Sequence, residues 1–264
     1  MSQPIVFYDI PSNGKGVAWS PNTWKTRYSL NIKGIPYQTV WVEYPDIAAV
    51  CKKIGAAPTA KQSDGQPLYT LPAIYDPNTQ TTVADSGKIA RYLDATYPDT
   101  PRLIPAELDV LTTAFEDAFW GALYPTGFGV IIVPAAFSTL RPGSQPYFRR
   151  TREVRLGGKL EELAPKGSEV RAQVWDKLKK ATGKIALWYE ASGEGRSFVL
   201  GNGASVTYAD AVVAGFFMWF KVCLGEESEE WKEMASWDGG RWEKLLVAVN
   251  EKYGAVDVGE QARL

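Results

Sequence analysis

Ser20 and Pro21, within the run Trp19-Ser20-Pro21-Asn22-Thr23-Trp24-Lys25, have the residue types of a helix start that can take part in chemistry. Serine is a preferred N-cap, and proline's fixed φ and missing N–H suit the first helical turn. A hydroxyl beside several unpaired backbone N–H groups is a ready place to hold an anion, because the helix end carries partial positive charge. The same pair also opens many helices that bind nothing, and the heptapeptide by itself leaves both readings open. The 264 residues contain no histidine. That removes Ser-His-Asp and Cys-His triads, the usual zinc sites and any imidazole proton transfer near neutral pH. No metal centre is expected, so any reaction must borrow its reactivity from a bound substrate or cofactor.

The elements that would position Ser20 are legible around it. Ile5–Ile10 is a short apolar run bounded by Pro11, Ser12, Asn13 and Gly14, which predicts a buried strand and a loop. From Pro21 to Lys33 the pattern is helical, with Trp24 and Tyr28 on one face and Gly34 as the stop. Tyr37–Val42 alternates and is β-rich, so a parallel βαβ unit is expected, followed by a short helix at Asp46–Lys53. Residues 55–69 have loop composition. Thr70–Tyr75 and Thr81–Ala84 flank the turn Asp76-Pro77-Asn78 and predict an antiparallel hairpin, in which Pro72 fits only at a strand entrance or edge. Asp85-Ser86 then caps a helix running from Gly87 to about Thr96.

The order β-α-β-α-β-β-α matches the thioredoxin fold. A serine-proline helix start, Leu71-Pro72 at the third strand, and Asp85-Ser86 about a dozen residues later resemble the glutathione-binding frame of glutathione transferases. Each piece alone has an ordinary structural explanation; their order and spacing in one frame carry the resemblance. It implies that the proline is cis, and that the N–H and C=O of Leu71 pair with the cysteinyl part of glutathione like an added strand. It further implies that Asp85 and Ser86 hold the γ-glutamyl end, that Asn22 is a further glutathione contact, and that Ser20 serves the sulfur. The loop before Gln66-Pro67-Leu68-Tyr69-Thr70-Leu71-Pro72, with the run from Trp19 to Lys25, resembles bacterial lignin β-etherases and their fungal etherase-like relatives. Serine at position 20 separates the chain from the omega-like branch, where cysteine forms mixed disulfides.

Tyr97-Pro98-Asp99-Thr100-Pro101-Arg102, with Pro105 beyond, is a proline-rich joint. It divides the expected architecture into an α+β thioredoxin-like glutathione-binding domain (1–104) and an all-α helical bundle (105–264). Helices are predicted at Glu107–Leu123, from Gln145 to about Leu163 and at Glu169–Glu190. Arg149, Arg150, Arg152 and Arg155 lie along the second of these and suit a solvated face or an intersubunit ion-pair patch better than an anionic partner. Thr207-Tyr208-Ala209-Asp210 ahead of the apolar run Ala211–Leu224 has the form of a capping box, which glutathione transferases also carry at the central helix of the second domain. Gly193-Glu194-Gly195-Arg196 reads as a loop, and the tail with Trp231, Trp237 and Trp242 as short helices wrapping the bundle.

The resemblance implies attack by glutathione thiolate on an electrophilic carbon of an aromatic compound, with phenolate as the leaving group in an ether cleavage. A free thiol has a pKa of about 8.5, and lowering it by about two pH units requires about 2.7 kcal/mol. A hydrogen bond to a charged group supplies ~1.5–3 kcal/mol and a helix N-terminus a further ~0.3–1 kcal/mol. Ser20 with its helix end can therefore activate the sulfur without histidine. The acceptor pocket is expected between the domains, faced by Trp24, Phe119, Trp120 and Tyr124, although each of these aromatics also suits an ordinary core. The expected function is detoxifying or degradative transfer of glutathione to phenolic, lignin- or wood-derived electrophiles. Non-catalytic carriage of polyphenols, a ligandin role, is the alternative, and docking in a larger complex is a third use of this fold.

The resemblance also implies a homodimer. A net charge of −1 gives no reason to expect nucleic acid or an anionic membrane as partner. Two cysteines, Cys51 and Cys223, do not form a disulfide framework, and the N-terminus lacks the pattern of a secretory signal. A cytoplasmic location is expected.

Overall fold

The computed structural model describes residues 3–14, 16–62, 64–191, 193, 195–201 and 205–262. Ser63 of the expected long loop and Glu194 of the expected 193–196 loop lie outside the described residues. β1 (Ile5–Asp9), α1 (Pro21–Lys33) and β2 (Tyr37–Trp41) form the predicted parallel unit, with Ile5 opposite Tyr37 and Asp9 opposite Trp41. A 3-10 turn at Tyr44–Asp46 leads into α2 (Ile47–Lys53). β3 (Ala60–Lys61) and β4 (Pro67–Leu68) make a small hairpin of their own. β5 (Ala73–Asp76), β6 (Thr81–Ala84) and α3 (Ser86–Thr96) complete the first unit.

The helical half consists of α4 (Asp109–Leu123), α5 (Gly129–Thr139), α6 (Gln145–Leu156), α7 (Leu160–Leu163), α8 (Glu169–Glu190), α9 (Tyr208–Leu224) and α10 (Glu229–Tyr253). β7 (Glu260–Gln261) follows. The main sheet has the order β6-β5-β1-β2-β7, with β5 antiparallel to both of its neighbours. This is the expected thioredoxin-like α/β unit followed by a helical bundle. Among the described residues no single helix is long and apolar enough to cross a membrane.

Three sequence expectations are corrected, and one helix is added. Residues 55–69 are not all loop: Thr59 N–H donates to Leu68 C=O at 2.9 Å beside the β3–β4 hairpin, and Gly65 in the turn has φ +83°. The helix expected from Gln145 to Leu163 ends at Gly157, whose φ of +75° is a left-handed cap, and α7 restarts after it. α5 has no counterpart among the sequence expectations; it holds Pro134 inside it, which removes one helical donor from an otherwise very apolar helix. The segment 105–264 is not wholly helical either, since its tail returns to the sheet as β7, parallel to β2.

That return is held by polar contacts no periodicity reveals. Trp41 donates its indole N–H to Val258 C=O at 3.0 Å, and Asp257 accepts from the N–H and hydroxyl of Thr39. Asp257 also pairs with Arg27 at 3.1 Å. α10 is itself broken at Trp237–Gly240, where four residues leave helical φ/ψ.

α1 is the pivot of the molecule, wedged between the sheet and α9, and most of its residues are buried. Its three buried cations each meet a carboxylate: Lys25 with Glu116, Arg27 with Asp9 and Lys33 with Asp94, all at 2.8 Å. Burial of a charge is tolerable only with such pairing, and removal of one partner costs about 3–5 kcal/mol. Asp94 also accepts the N–H groups of Leu103 and Ile104, which ties the proline-rich joint to the first unit. At its C-terminus α1 stops at Gly34 in the left-handed region, as its sequence predicts.

Candidate functional site

Ser20 occupies the N-cap position of α1 with extended backbone, and Pro21 is the first helical residue. Its hydroxyl makes no capping bond to its own helix. Instead Thr23 Oγ1 donates to the Ser20 carbonyl at 3.2 Å. The Ser20 hydroxyl is therefore available to a ligand at a helix end that carries unpaired N–H groups.

The Leu71-Pro72 peptide is cis, and Pro72 sits at the entrance of β5, where a missing donor costs no ladder bond. Among the described residues the N–H and C=O of Leu71 have no hydrogen-bond partner. Sheet register gathers the predicted pieces at one end of the sheet. Tyr8 near the end of β1 pairs with Ala73, and Ala73 pairs with Ala84 at the end of β6. Asp85 N–H donates to Pro72 C=O at 3.2 Å, so Leu71-Pro72 and Asp85-Ser86 lie side by side.

Asp85 takes φ +85° and caps α3, its Oδ1 accepting from Gly87 N–H at 3.1 Å and Lys88 N–H at 3.0 Å. Ser86 Oγ accepts from the hydroxyl of Tyr208, in the first turn of α9, at 3.1 Å. Burial pushes the Tyr208 phenol well up, which keeps its proton in place for that bond. Asp210 holds the start of α9, accepting from Thr207 N–H at 2.8 Å, the Thr207 hydroxyl at 2.7 Å and Val199 N–H at 2.8 Å.

Beside Ser20, Pro21 and Asn22 opens a cavity of about 370 Å³ whose other walls are Tyr44 and residues of α4, α5, α6 and α9. Trp120 and Tyr124 are stacked there at 5.2 Å between ring centroids, and Tyr124 continues onto Phe128 at 6.0 Å. Tyr44 and Phe148, which also line it, meet edge to face at 5.2 Å. Burial raises the phenols of Tyr44 and Tyr124, opposed in part by Arg152 and Arg155 respectively. Both therefore stay protonated donors at neutral pH.

Of the predicted acceptor residues, Trp120 and Tyr124 join Ser20 at this cavity, and Trp24 and Phe119 do not. Trp24 packs on Tyr28 at 4.8 Å and faces a separate cavity with Met218, Val222 and Asn250. The reason is helical geometry: Trp24 is one turn into α1, on the side pressed against α9 at Gly215. Phe119 is core, edge-on to Phe216 at 5.6 Å, and supports Trp120 from behind.

The sequence reading missed Tyr44, Phe128, Phe148, Trp219, Arg152 and Arg155, all of which line the cavity. Tyr44 and Phe128 lie in short 3-10 or turn segments without periodicity, and Trp219 is hidden in the uniformly apolar α9. Arg152 and Arg155 correct the expectation of a purely solvated arginine face. The two thiols play no visible part, since burial pushes Cys51 up to about 11 and Cys223 up to about 12.

A thioredoxin-like domain with a cis-proline, an open helix start and a helical second domain defines a class of thiol-tripeptide-dependent transferases. Residues 19–96 match the family description "Glutathione S-transferase, N-terminal domain" and residues 110–253 match "Glutathione S-transferase, C-terminal domain". The chain is 31% identical over 255 residues to the glutathione S-transferase-like protein ustS of Aspergillus flavus, covering 93% of this chain and 89% of that protein. It is 52% identical to the glutathione S-transferase CsGST63524 of Ceriporiopsis subvermispora, solved in complex with glutathione, with a TM-score of 0.92 over 97% of this chain and 100% of that one. It is 48% identical to the glutathione transferase GSTFuA3 of Phanerochaete chrysosporium, with a TM-score of 0.88 over 98% of this chain and 100% of that one. This chain belongs to the glutathione S-transferase family.

Proposed function

We propose that this chain is a serine-type, etherase-like glutathione transferase in which the Ser20 hydroxyl stabilises the thiolate of bound glutathione. The observation that carries the reading is that this hydroxyl, at the N-terminus of α1 and the rim of an aromatic cavity, is not spent on capping its own helix. Glutathione lies along the free backbone edge of Leu71 beside the cis-Pro72. Its γ-glutamyl end meets Asp85 and Ser86, and Asn22, exposed on the first turn of α1, adds a polar contact. The glycyl-cysteinyl side then points the sulfur at Ser20.

The reaction is transfer of that sulfur to an aromatic or phenolic electrophile held in the cavity between Trp120, Tyr124 and Phe148. The thiol proton goes to solvent as glutathione binds in its ionised form. A sulfur lone pair makes the S–C bond while the C–O bond of a β-aryl ether breaks, and the bond's electron pair leaves on the aryl oxygen. The resulting phenolate, with a conjugate-acid pKa of about 10, takes a proton from water. We place the domain boundary at 104/105, in the joint pinned by Asp94, and read the protein as a cytoplasmic homodimer.

Ser20→Ala tests the reading. Conjugation or ether cleavage should fall about tenfold or more, the loss of one hydrogen bond to a charged sulfur. An unchanged rate would reject the proposal. A second reading, carriage of polyphenols without turnover, is favoured by the continuous stack Trp120–Tyr124–Phe128. Tight polyphenol binding with no conjugation across a panel of electrophiles would select it.

A further inference from the structure

Two of the arginines on α6 turn into the cavity, and their surroundings differ from those of their neighbours. Arg149, on the outside of the helix, is neutralised by Glu153 at 2.8 Å and Glu161 at 2.5 Å. Arg152 and Arg155 stand three apart, hence on one face, and both line the cavity. Arg152 lies over the rings of Phe148 at 4.7 Å and Tyr44 at 5.5 Å, and donates to Thr151 Oγ1 at 3.0 Å. Arg155 faces the Tyr124 phenol. Among the described residues neither guanidinium has a carboxylate partner, and no Asp or Glu lines the cavity. Glu116, whose charge also reaches the Tyr124 phenol, is paired with Lys25 at 2.8 Å, so the two arginines beside apolar walls focus a positive potential on the cavity.

We propose that this cavity selects aromatic acids, with the substrate carboxylate held by Arg152 and Arg155 and the ring sandwiched by the Tyr44–Phe148 and Trp120–Tyr124 walls. The inference rests on the reading of the cavity as the acceptor pocket and narrows its substrate class. The guanidinium fork matches the planar carboxylate and makes charge-assisted bonds to it. A phenol with pKa of about 10 is uncharged at neutral pH and gains less from the same pair. The cavity, at about 370 Å³, is large enough for a single substituted ring with a short side chain. A carboxylate at the α6 wall places the far end of such a molecule toward Ser20 and Asn22, where the sulfur is delivered.

The test compares cinnamate with its uncharged methyl ester, titrated into the full-length protein saturated with glutathione and read by quenching of Trp120 and Trp219. The acid should bind roughly tenfold tighter than the ester at low salt, and the ratio should shrink as ionic strength rises. Arg155→Gln and Arg152→Gln should each move the acid-to-ester ratio toward one. Arg155→Lys should retain part of the preference, and Arg150→Gln, outside the cavity, all of it. Arg155 is exposed, so its substitution does not threaten the fold. Equal binding of acid and ester by the unmodified protein, or a preference that survives both glutamine variants, would overturn the inference. Because binding is read and not turnover, that result with Ser20-dependent conjugation intact removes the aromatic-acid preference alone. An arginine-dependent preference in a protein that conjugates nothing removes the transferase reading alone.

Discussion

Gly215 of α9 lies directly against the carbonyl of Pro21 in the first turn of α1: a Cβ at position 215 would sit 2.8 Å from that oxygen. The next nearest atoms, in the side chains of Lys25 and Trp24, are 3.6 Å away. The absent side chain therefore sets how closely the central helix of the second domain approaches the helix that presents Ser20. Gly215→Ala gains a better helix former worth ~1 kcal/mol, but it forces a methyl group against the Pro21 carbonyl, an overpacking cost of about 1–3 kcal/mol. The variant should be less stable in urea unfolding and should lose activity with it, because the start of α1 must move. Undiminished stability and rate would mean that the two helices separate without consequence.

Tyr208 reaches across the domains to Ser86, and the bond leaves the Ser86 proton free to be donated to a ligand carboxylate. Tyr208→Phe removes that orienting bond while keeping the ring in its buried place. The KM for glutathione should rise by about twofold to tenfold, with kcat changed less, as expected for one hydrogen bond acting through another residue. A fall in kcat with KM unmoved would assign Tyr208 to a different role.

Ser20→Cys replaces the hydroxyl by a thiol at a helix N-terminus, where a cysteine is readily ionised. The thiolate should attack glutathione disulfide, forming a protein–glutathione mixed disulfide and releasing one glutathione. Mass spectrometry after incubation with the disulfide should show a single glutathionyl adduct, since Cys51 and Cys223 are buried and held as thiols. An unmodified variant would show that residue 20 does not face the tripeptide.

Asp76, at the end of β5, collects hydrogen bonds from Tyr92 at 2.7 Å, Tyr97 at 2.5 Å and the N–H of Asn78 at 2.9 Å. Burial pushes its carboxyl up, but these donors together outweigh burial and hold it below the usual carboxylate range. The Tyr97 phenol, pushed up to about 12 by burial and by Asp76, keeps its proton and remains a donor. The folded carboxyl is thus more acidic than the unfolded one. Its contribution is fully present above the unfolded pKa of about 3.9 and is lost as pH falls through the lower folded value. Unfolding midpoints measured between acid and neutral pH should drop in that window, and Asp76→Asn should flatten the drop.

Sequence alone determined the parts of this protein that are local. The helix start at Ser20-Pro21, the stop at Gly34, the cap at Asp85 and the box of Thr207 with Asp210 are each specified within a few residues, and the structure has them where the sequence puts them. The apolar run of β1, the alternation of β2 and the turn after Asp76 are legible for the same reason, since backbone periodicity and turn chemistry act at short range. The β3–β4 hairpin and the break at Gly157 are local too, marked by Gly65 and Gly157 at positive φ. The return of β7 was decided otherwise, by contacts such as Trp41 with Val258 that join distant segments.

The cavity belongs wholly to that second kind. Its walls come from the start of α1, the turn at Tyr44, and helices α4, α5, α6 and α9. Trp24 and Trp120 are both tryptophans on amphipathic helices, and no pattern in the chain says that one is packed under α9 and the other faces Ser20. That choice depends on which side of each helix its neighbours cover, and the neighbours are chosen only when the two domains close on one another.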